Sequence, residues 1–234
     1  MEGNNLVLIR INNLNLSYDG MKVRNLLSPP ERLHFDALSI DSMIAKEGEI
    51  IAIMGHNGAG KSTLLSALAG KMRPNSGEIE VIGTVVHLSG VNPGFDPILS
   101  PRQNLKWLSR IYGCESSSLI PEVEEFAGIG EAFDRPIRTL SGGMKGRVGF
   151  GFATSLNPDI LLIDEVLGVG DPSFKAKATS RLKGMMKNTG IVIMSTHSVG
   201  LVKELASRTV ILEKGLIIHD GGVQDGLDLY SEIM

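Results

Sequence analysis

An apolar run, Ile50-Ile51-Ala52-Ile53-Met54, passes without interruption into Gly55-His56-Asn57-Gly58-Ala59-Gly60-Lys61-Ser62-Thr63, and helical periodicity follows over residues 61–69. Buried strand, glycine loop and helix, in that order, let backbone N–H groups turn inward on a chain of phosphates, with the partial positive charge of a helix N-terminus behind them. Glycine, four residues, glycine, lysine and a hydroxyl residue define a phosphate-binding loop, and every one of those positions is filled. The motif therefore assigns Gly55, Asn57, Gly58, Ala59, Gly60, Lys61, Ser62 and Thr63 to phosphate binding. Lys61 brings a point charge to the β and γ phosphates. Ser62 offers a hydroxyl to Mg2+, which keeps most of its waters and takes few protein ligands. His56 reads as a solvated spacer. A glycine-rich turn without any nucleotide is the plainer alternative, and the complete motif weighs against it.

Strand patterns at 6–18, 38–45, 49–54, 78–82, 85–88, 159–163, 191–195, 210–213 and 216–219 alternate with helical patterns at 61–69, 101–112, 119–127, 142–156, 172–188, 199–206 and 223–234. Asp19-Gly20 reads as a turn and residues 26–30 as a loop. Such alternation predicts an α/β fold with a parallel sheet covered by helices. The mainly helical stretch from about 100 to 157 predicts a lobe within a single domain spanning 1–234.

A second apolar strand, Ile160-Leu161-Leu162-Ile163, ends in Asp164-Glu165, which brings two carboxylates to the sheet edge where ligands bind. Neighbours along a strand point to opposite faces, so the pair can divide labour. Asp164 then holds the magnesium shell, and Glu165 aligns or deprotonates the attacking water. His197, in Ser195-Thr196-His197-Ser198, ends another apolar strand and can reach a γ-phosphate, although a lone histidine is more often ordinary surface.

Lys and Arg total 23 against 26 Asp and Glu, a net charge of −3, so the chain carries no electrostatic footprint for nucleic acid. The single cysteine, Cys114, reads as a structural thiol in a reducing compartment. Residues 1–10 have the character of neither a secretory signal nor a transit peptide. No apolar run approaches the roughly 20 residues of a membrane-spanning helix, so membrane contact is expected through another polypeptide.

Leu140-Ser141-Gly142-Gly143-Met144 lies about twenty residues before Asp164 and resembles the signature motif of ABC ATPases. A serine followed by two glycines at a helix start is itself an anion-binding device. The resemblance runs over residues 6–230 and implies a P-loop NTPase of ABC type: a mainly parallel sheet core, an antiparallel N-terminal β subdomain and a helical lobe. It further implies that Ser141, Gly142 and Gly143 dock on the γ-phosphate held by a second copy, so that a homodimer sandwiches two MgATP. Tyr18 falls where the family stacks an aromatic on adenine, Asp171 in the segment that crosses the dimer interface, and His197 on the switch histidine. Lys61, Glu165 and His197 are the implied catalytic set.

Two positions depart from the family pattern. Met144 stands where many members have glutamine, and no glutamine occurs in residues 85–95, where Ser89, Gly90 or Asn92 takes its place. Gln103 lies too far into the following helix for that role. Arg102-Gln103-Asn104, Arg110-Ile111-Tyr112-Gly113, Val123-Glu124-Glu125-Phe126, Phe133-Asp134-Arg135-Pro136-Ile137 and Asp164-Glu165-Val166-Leu167-Gly168-Val169-Gly170-Asp171 look like the ATP-binding subunits of capsular polysaccharide exporters, whose relatives move O-antigen and teichoic acid. This implies integral-membrane permease subunits on separate chains, a polysaccharide substrate, no nucleic acid, and a peripheral location on the cytoplasmic face of the inner membrane. Trp107 and Phe126 then belong either to the lobe core or to contacts with the permease. A soluble ABC ATPase acting on DNA or the ribosome is the rival from another class, though its usual coiled-coil insertion or second cassette is not seen; an importer subunit is a further alternative.

Overall fold

The computed structural model describes residues 6–22, 31–89, 93–164 and 172–234. Within them the chain runs β1 (Leu8–Lys22), β2 (Glu31–Lys46), β3 (Ile50–Met54), α1 (Lys61–Leu68), β4 (Ser76–Ile82), β5 (Val85–Ser89), α2 (Pro101–Ile111), α3 (Ser116–Ala127), α4 (Gly142–Thr154), β6 (Ile160–Asp164), α5 (Pro172–Lys187), β7 (Ile191–Ser195), α6 (Val199–Leu205), β8 (Arg208–Glu213), β9 (Leu216–Gly221) and α7 (Val223–Ile233). Two short 3-10 turns, Gly130–Asp134 and Ile137–Thr139, were not expected from the pattern. The chain divides into two compact units.

The first unit holds residues up to 87, 159–164 and 190–234. Its larger sheet has the order β5-β6-β7-β3-β8-β9, and β3 pairs in parallel with both β7 and β8. Parallel strands buried on both faces need unbroken apolar runs, and β3, β6 and β7 have them. The antiparallel edge strand β9 instead alternates exposed and half-buried residues. A smaller antiparallel sheet, β2-β1-β4, packs through one apolar cluster with α1 and the larger sheet; Ile9, Leu14, Leu38, Leu64, Leu65, Ile51 and Ile193 are members. Along β1 the inward phase switches from Ile9 and Ile11 to Leu14 and Leu16. Asn13 lies at the switch with φ 47°, a left-handed conformation asparagine tolerates, and the register against β4 slips there.

Asp19-Gly20 is not a turn. Both residues lie inside β1, opposite His34 and Leu33, and the Asp19 carboxylate bonds His34 Nδ1 at 3.0 Å across the ribbon. The loop expected at 26–30 lies outside the described residues.

The second unit comprises residues 88–158 and, of those described, 172–189, so α5 joins the helices of the predicted lobe. Arg102 ties it together. Its guanidinium bonds Glu124 at 2.7 Å and Asp134 at 2.7 Å and lies 5.2 Å from the Phe133 ring centroid. Three of the strings quoted for the resemblance are thus a single packed knot. Phe126 is buried, stacked on Phe150 and edge-on to Phe174, and capped by Lys177 and Arg181. Trp107 is 52% exposed and Ile111, one turn on, is 59% exposed, so Phe126 is lobe core and Trp107 is surface.

Candidate functional site

The strand-to-helix turn between β3 and α1 has the conformation that only glycine permits at its two ends. Gly55 has φ 146°, and a Cβ there would meet the Leu212 carbonyl oxygen at 2.1 Å; Gly60, the N-cap of α1, has φ 107°, and its Cβ would meet Leu38 at 2.7 Å. Lys61 is only 9% exposed, and its ammonium donates to the carbonyls of Gly55 at 2.7 Å and His56 at 2.9 Å, which holds the charge across the loop. Ser62, in the first turn of α1, donates from Oγ to Asp164 Oδ1 at 3.1 Å. The same carboxylate oxygen accepts from Ser195 Oγ at 2.6 Å. Asp164 is therefore aimed by two hydroxyls, one on each neighbouring element.

The set fits a hard divalent cation. A carboxylate and a serine hydroxyl 3.1 Å apart can share one magnesium shell, whose preference is for oxygen ligands with waters completing the octahedron. Ser195 then has the part of orienting the carboxylate from behind.

Other expected residues gather in the same unit. Tyr18 brings its hydroxyl to 3.3 Å from Thr63 Oγ1 and 3.3 Å from Met72 Sδ while its ring stays 43% exposed. Its cross-strand neighbour is Phe35, also exposed, so two aromatic rings share one face of the ribbon beside α1. Phe35 escaped the sequence reading, although alternation on β2 carries the signal. His197 follows β7 and bonds the Tyr230 hydroxyl through Nδ1 at 2.9 Å. His56 is not a free spacer: its Nε2 donates to the Ile233 carbonyl at 2.6 Å.

In the second unit, Ser141 caps α4 by accepting from the Met144 amide at 3.2 Å. Gly142 and Gly143 have helical backbone, and a Cβ at either would meet nothing within 4 Å. Nothing among the described residues requires glycine there, and glycine in a helix costs about 1 kcal/mol against alanine. Gln103 forms a capping box with Ser100, its Oε1 accepting from the Ser100 amide at 3.0 Å. Its amide is thereby committed to the helix start. Buried Asn104 fixes the preceding loop by donating to the carbonyls of Asp96, Leu99 and Ser100 and accepting from the Asp96 amide. Ser89 is exposed at the end of β5. Gly90, Asn92, Glu165 and Asp171 lie outside the described residues.

His87 on β5 is half-buried, and neither ring nitrogen has a hydrogen-bond partner among the described residues. Burial, with the charge of Lys71 adding, lowers its pKa from 6.5 to about 4 against a weaker upward pull from Asp164. The unfolded chain therefore takes up this proton first, and stability falls as the pH drops from 6.5 towards 4. After discounting for partial exposure, about 1 kcal/mol is lost between about pH 7 and about pH 5. His87→Leu should lose about 1 kcal/mol less than the wild type over that range in urea unfolding; identical pH slopes would contradict the assignment.

The sequence profile described as ABC transporter matches residues 38–168. The O-antigen export system ATP-binding protein RfbE of Yersinia enterocolitica is 40% identical over 187 residues, 79% of this chain and 78% of that protein. The polysialic acid transport ATP-binding protein KpsT of Escherichia coli is 36% identical over 227 residues, 96% of each chain. In fold, the chain resembles the ATP-binding cassette MJ0796 in a dimeric, post-hydrolysis structure bound to ADP and Pi, with a TM-score of 0.72, 22% identity, and coverage of 92% of this chain and 98% of that one. The profile runs unbroken from β2 through the phosphate loop, the capped glycines of α4 and Asp164, and one relative aligns along nearly the whole length: the chain belongs to the ABC transporter family.

Proposed function

We propose that this chain is the ATP-hydrolysing subunit that powers export of a cell-surface polysaccharide, of capsule type or a related glycan, across the cytoplasmic membrane, working with a separate integral-membrane permease. As an ABC ATPase it binds and hydrolyses ATP. The observation that carries the chemistry is the meeting of Ser62, Asp164 and Ser195 in the same unit as the loop-held Lys61 ammonium. The nature of the cargo rests on the export relatives RfbE and KpsT.

The phosphate tail lies along the loop amides of residues 55–63, with Lys61 exchanging its two carbonyl bonds for phosphate oxygens. Ser62 and Asp164 would hold Mg2+, which when bound would supply neutralisation of phosphate charge. Tyr18, with Phe35 beside it, offers a ring face to adenine. Glu165 aligns or deprotonates water for attack on the γ-phosphorus, and His197 donates to a γ oxygen. Ser141 and the amides of Gly142 and Gly143 cap the γ-phosphate bound by a second copy, with Asp171 at that interface, and the bare glycines let the two backbones approach. ATP binding then favours a closed homodimer and hydrolysis releases it, which is the differential contact that drives a coupled permease. No helix among the described residues is long and apolar enough to cross a membrane. The export relatives support work as a peripheral subunit on the cytoplasmic face, where exposed Trp107 and Ile111 of α2 suit an apolar permease contact.

Disruption of the gene in its host tests the reading. Polymer should accumulate inside the cell and disappear from the surface, with the phenotype reversed by the wild-type chain and not by Glu165→Gln. Normal surface polymer in the disrupted strain would overturn it.

A further inference from the structure

The geometry points to Tyr230 as a positioning residue for His197: its phenol donates to Nδ1 and so holds the imidazole as the Nε2–H tautomer. The inference rests on the role proposed for His197 at the γ-phosphate. Tyr230 is 7% exposed, and a phenol O–H buried to that degree needs an acceptor. Its recorded hydrogen bond is the 2.9 Å contact to His197 Nδ1, and burial raises its pKa, so the phenol keeps its proton. An imidazole that accepts at Nδ1 carries its own proton on Nε2. That nitrogen is then a donor, the character an anionic γ-phosphate oxygen requires.

The helix carrying Tyr230 is anchored independently of the histidine. Thr209, fully buried on β8, donates from its hydroxyl to the Gly222 carbonyl at 3.0 Å just ahead of α7. One turn later Gly226 packs so closely that a Cβ would meet Thr209 Oγ1 at 2.0 Å. At the other end the Ile233 carbonyl accepts from His56 of the phosphate loop at 2.6 Å. A single C-terminal helix therefore touches both the loop that grips the phosphates and the histidine that senses the last of them. Its position holds the phenol against Nδ1, and a rigid partner behind a functional imidazole sets ring orientation and tautomer together.

The test is Tyr230→Phe in the full-length protein, which keeps the ring and removes one hydroxyl. The kcat for MgATP hydrolysis should fall about 3- to 10-fold, the range of one ordinary hydrogen bond, with KM unchanged and Tm lowered by no more than about 4 °C. In a His197→Ala background the same substitution should cause no further loss. Nitrogen-15 NMR of histidine-labelled protein should show His197 as the Nε2–H tautomer in the wild type and a loss of that pure signature in Tyr230→Phe. An equal drop in both backgrounds, an unchanged kcat, or a wild-type proton on Nδ1 would overturn the inference. Wild-type turnover in His197→Ala would instead overturn the role of the histidine, and with it the catalytic sense of the contact, while the nitrogen shifts report the tautomer separately.

Discussion

Glu165→Gln should bind MgATP as tightly as the wild type and hydrolyse it about 10²- to 10⁴-fold more slowly, the span a positioned general base contributes. The amide matches the carboxylate in shape but cannot take a proton from water. Ground-state affinity survives because the groups that hold the phosphates lie elsewhere: Lys61 on α1, and Ser62 with Asp164 at 3.1 Å. Single-turnover hydrolysis, measured beside equilibrium ATP binding, separates the two quantities. A rate within a few-fold of wild type would remove Glu165 from the catalytic set.

Lys61→Ala should act on the opposite step. The ammonium is nearly buried and already held by two loop carbonyls, so it is preorganised to trade them for phosphate oxygens. Charge-assisted hydrogen bonds carry about 1.5–3 kcal/mol each, and two of them correspond to a Kd for ATP weakened about 10²-fold or more. Equilibrium binding with labelled ATP reads the loss directly, and a thermal unfolding curve recorded without nucleotide shows whether the loop still folds. Retention of wild-type affinity would mean that Lys61 stays with the carbonyls of Gly55 and His56 and does not serve the phosphates.

Most of the phosphate site was legible because it is local. Residues 55–63 carry their own conformation, with glycine where φ is 146° at Gly55 and 107° at Gly60, and a helix must follow. Asp164 was legible for a related reason, since an unbroken apolar run that stops at a carboxylate marks the end of a buried parallel strand. Contacts between distant positions were not. Tyr230 reads as one apolar position on an amphipathic helix, and its bond to His197, 33 residues away in sequence, exists only once α7 is anchored on β8. Ser195 reads as the last residue of a strand until β6 and β7 lie side by side and its hydroxyl meets Asp164.

The same limit explains the misread turn at Asp19-Gly20. Both residue types favour turns, but here pairing with β2 and the bond from Asp19 to His34 keep the ribbon extended through Lys22. His56 reads as a spacer in the sequence because the carbonyl it reaches, that of Ile233, lies 177 residues further along. In the helical unit, the strings that resembled a family subgroup carried no visible reason for their order. Arg102 supplies it by joining Glu124, Asp134 and Phe133 into one cluster.

The central claim is that nucleotide bound by one copy is covered by the serine and glycines of another. Light scattering of Glu165→Gln with saturating MgATP tests it most directly. The mass should double from 25.1 kDa, and adding Ser141→Arg should return it to the single-chain value while ATP remains bound. A single-chain mass for Glu165→Gln under saturating MgATP, or a dimer indifferent to Ser141→Arg, would contradict the account.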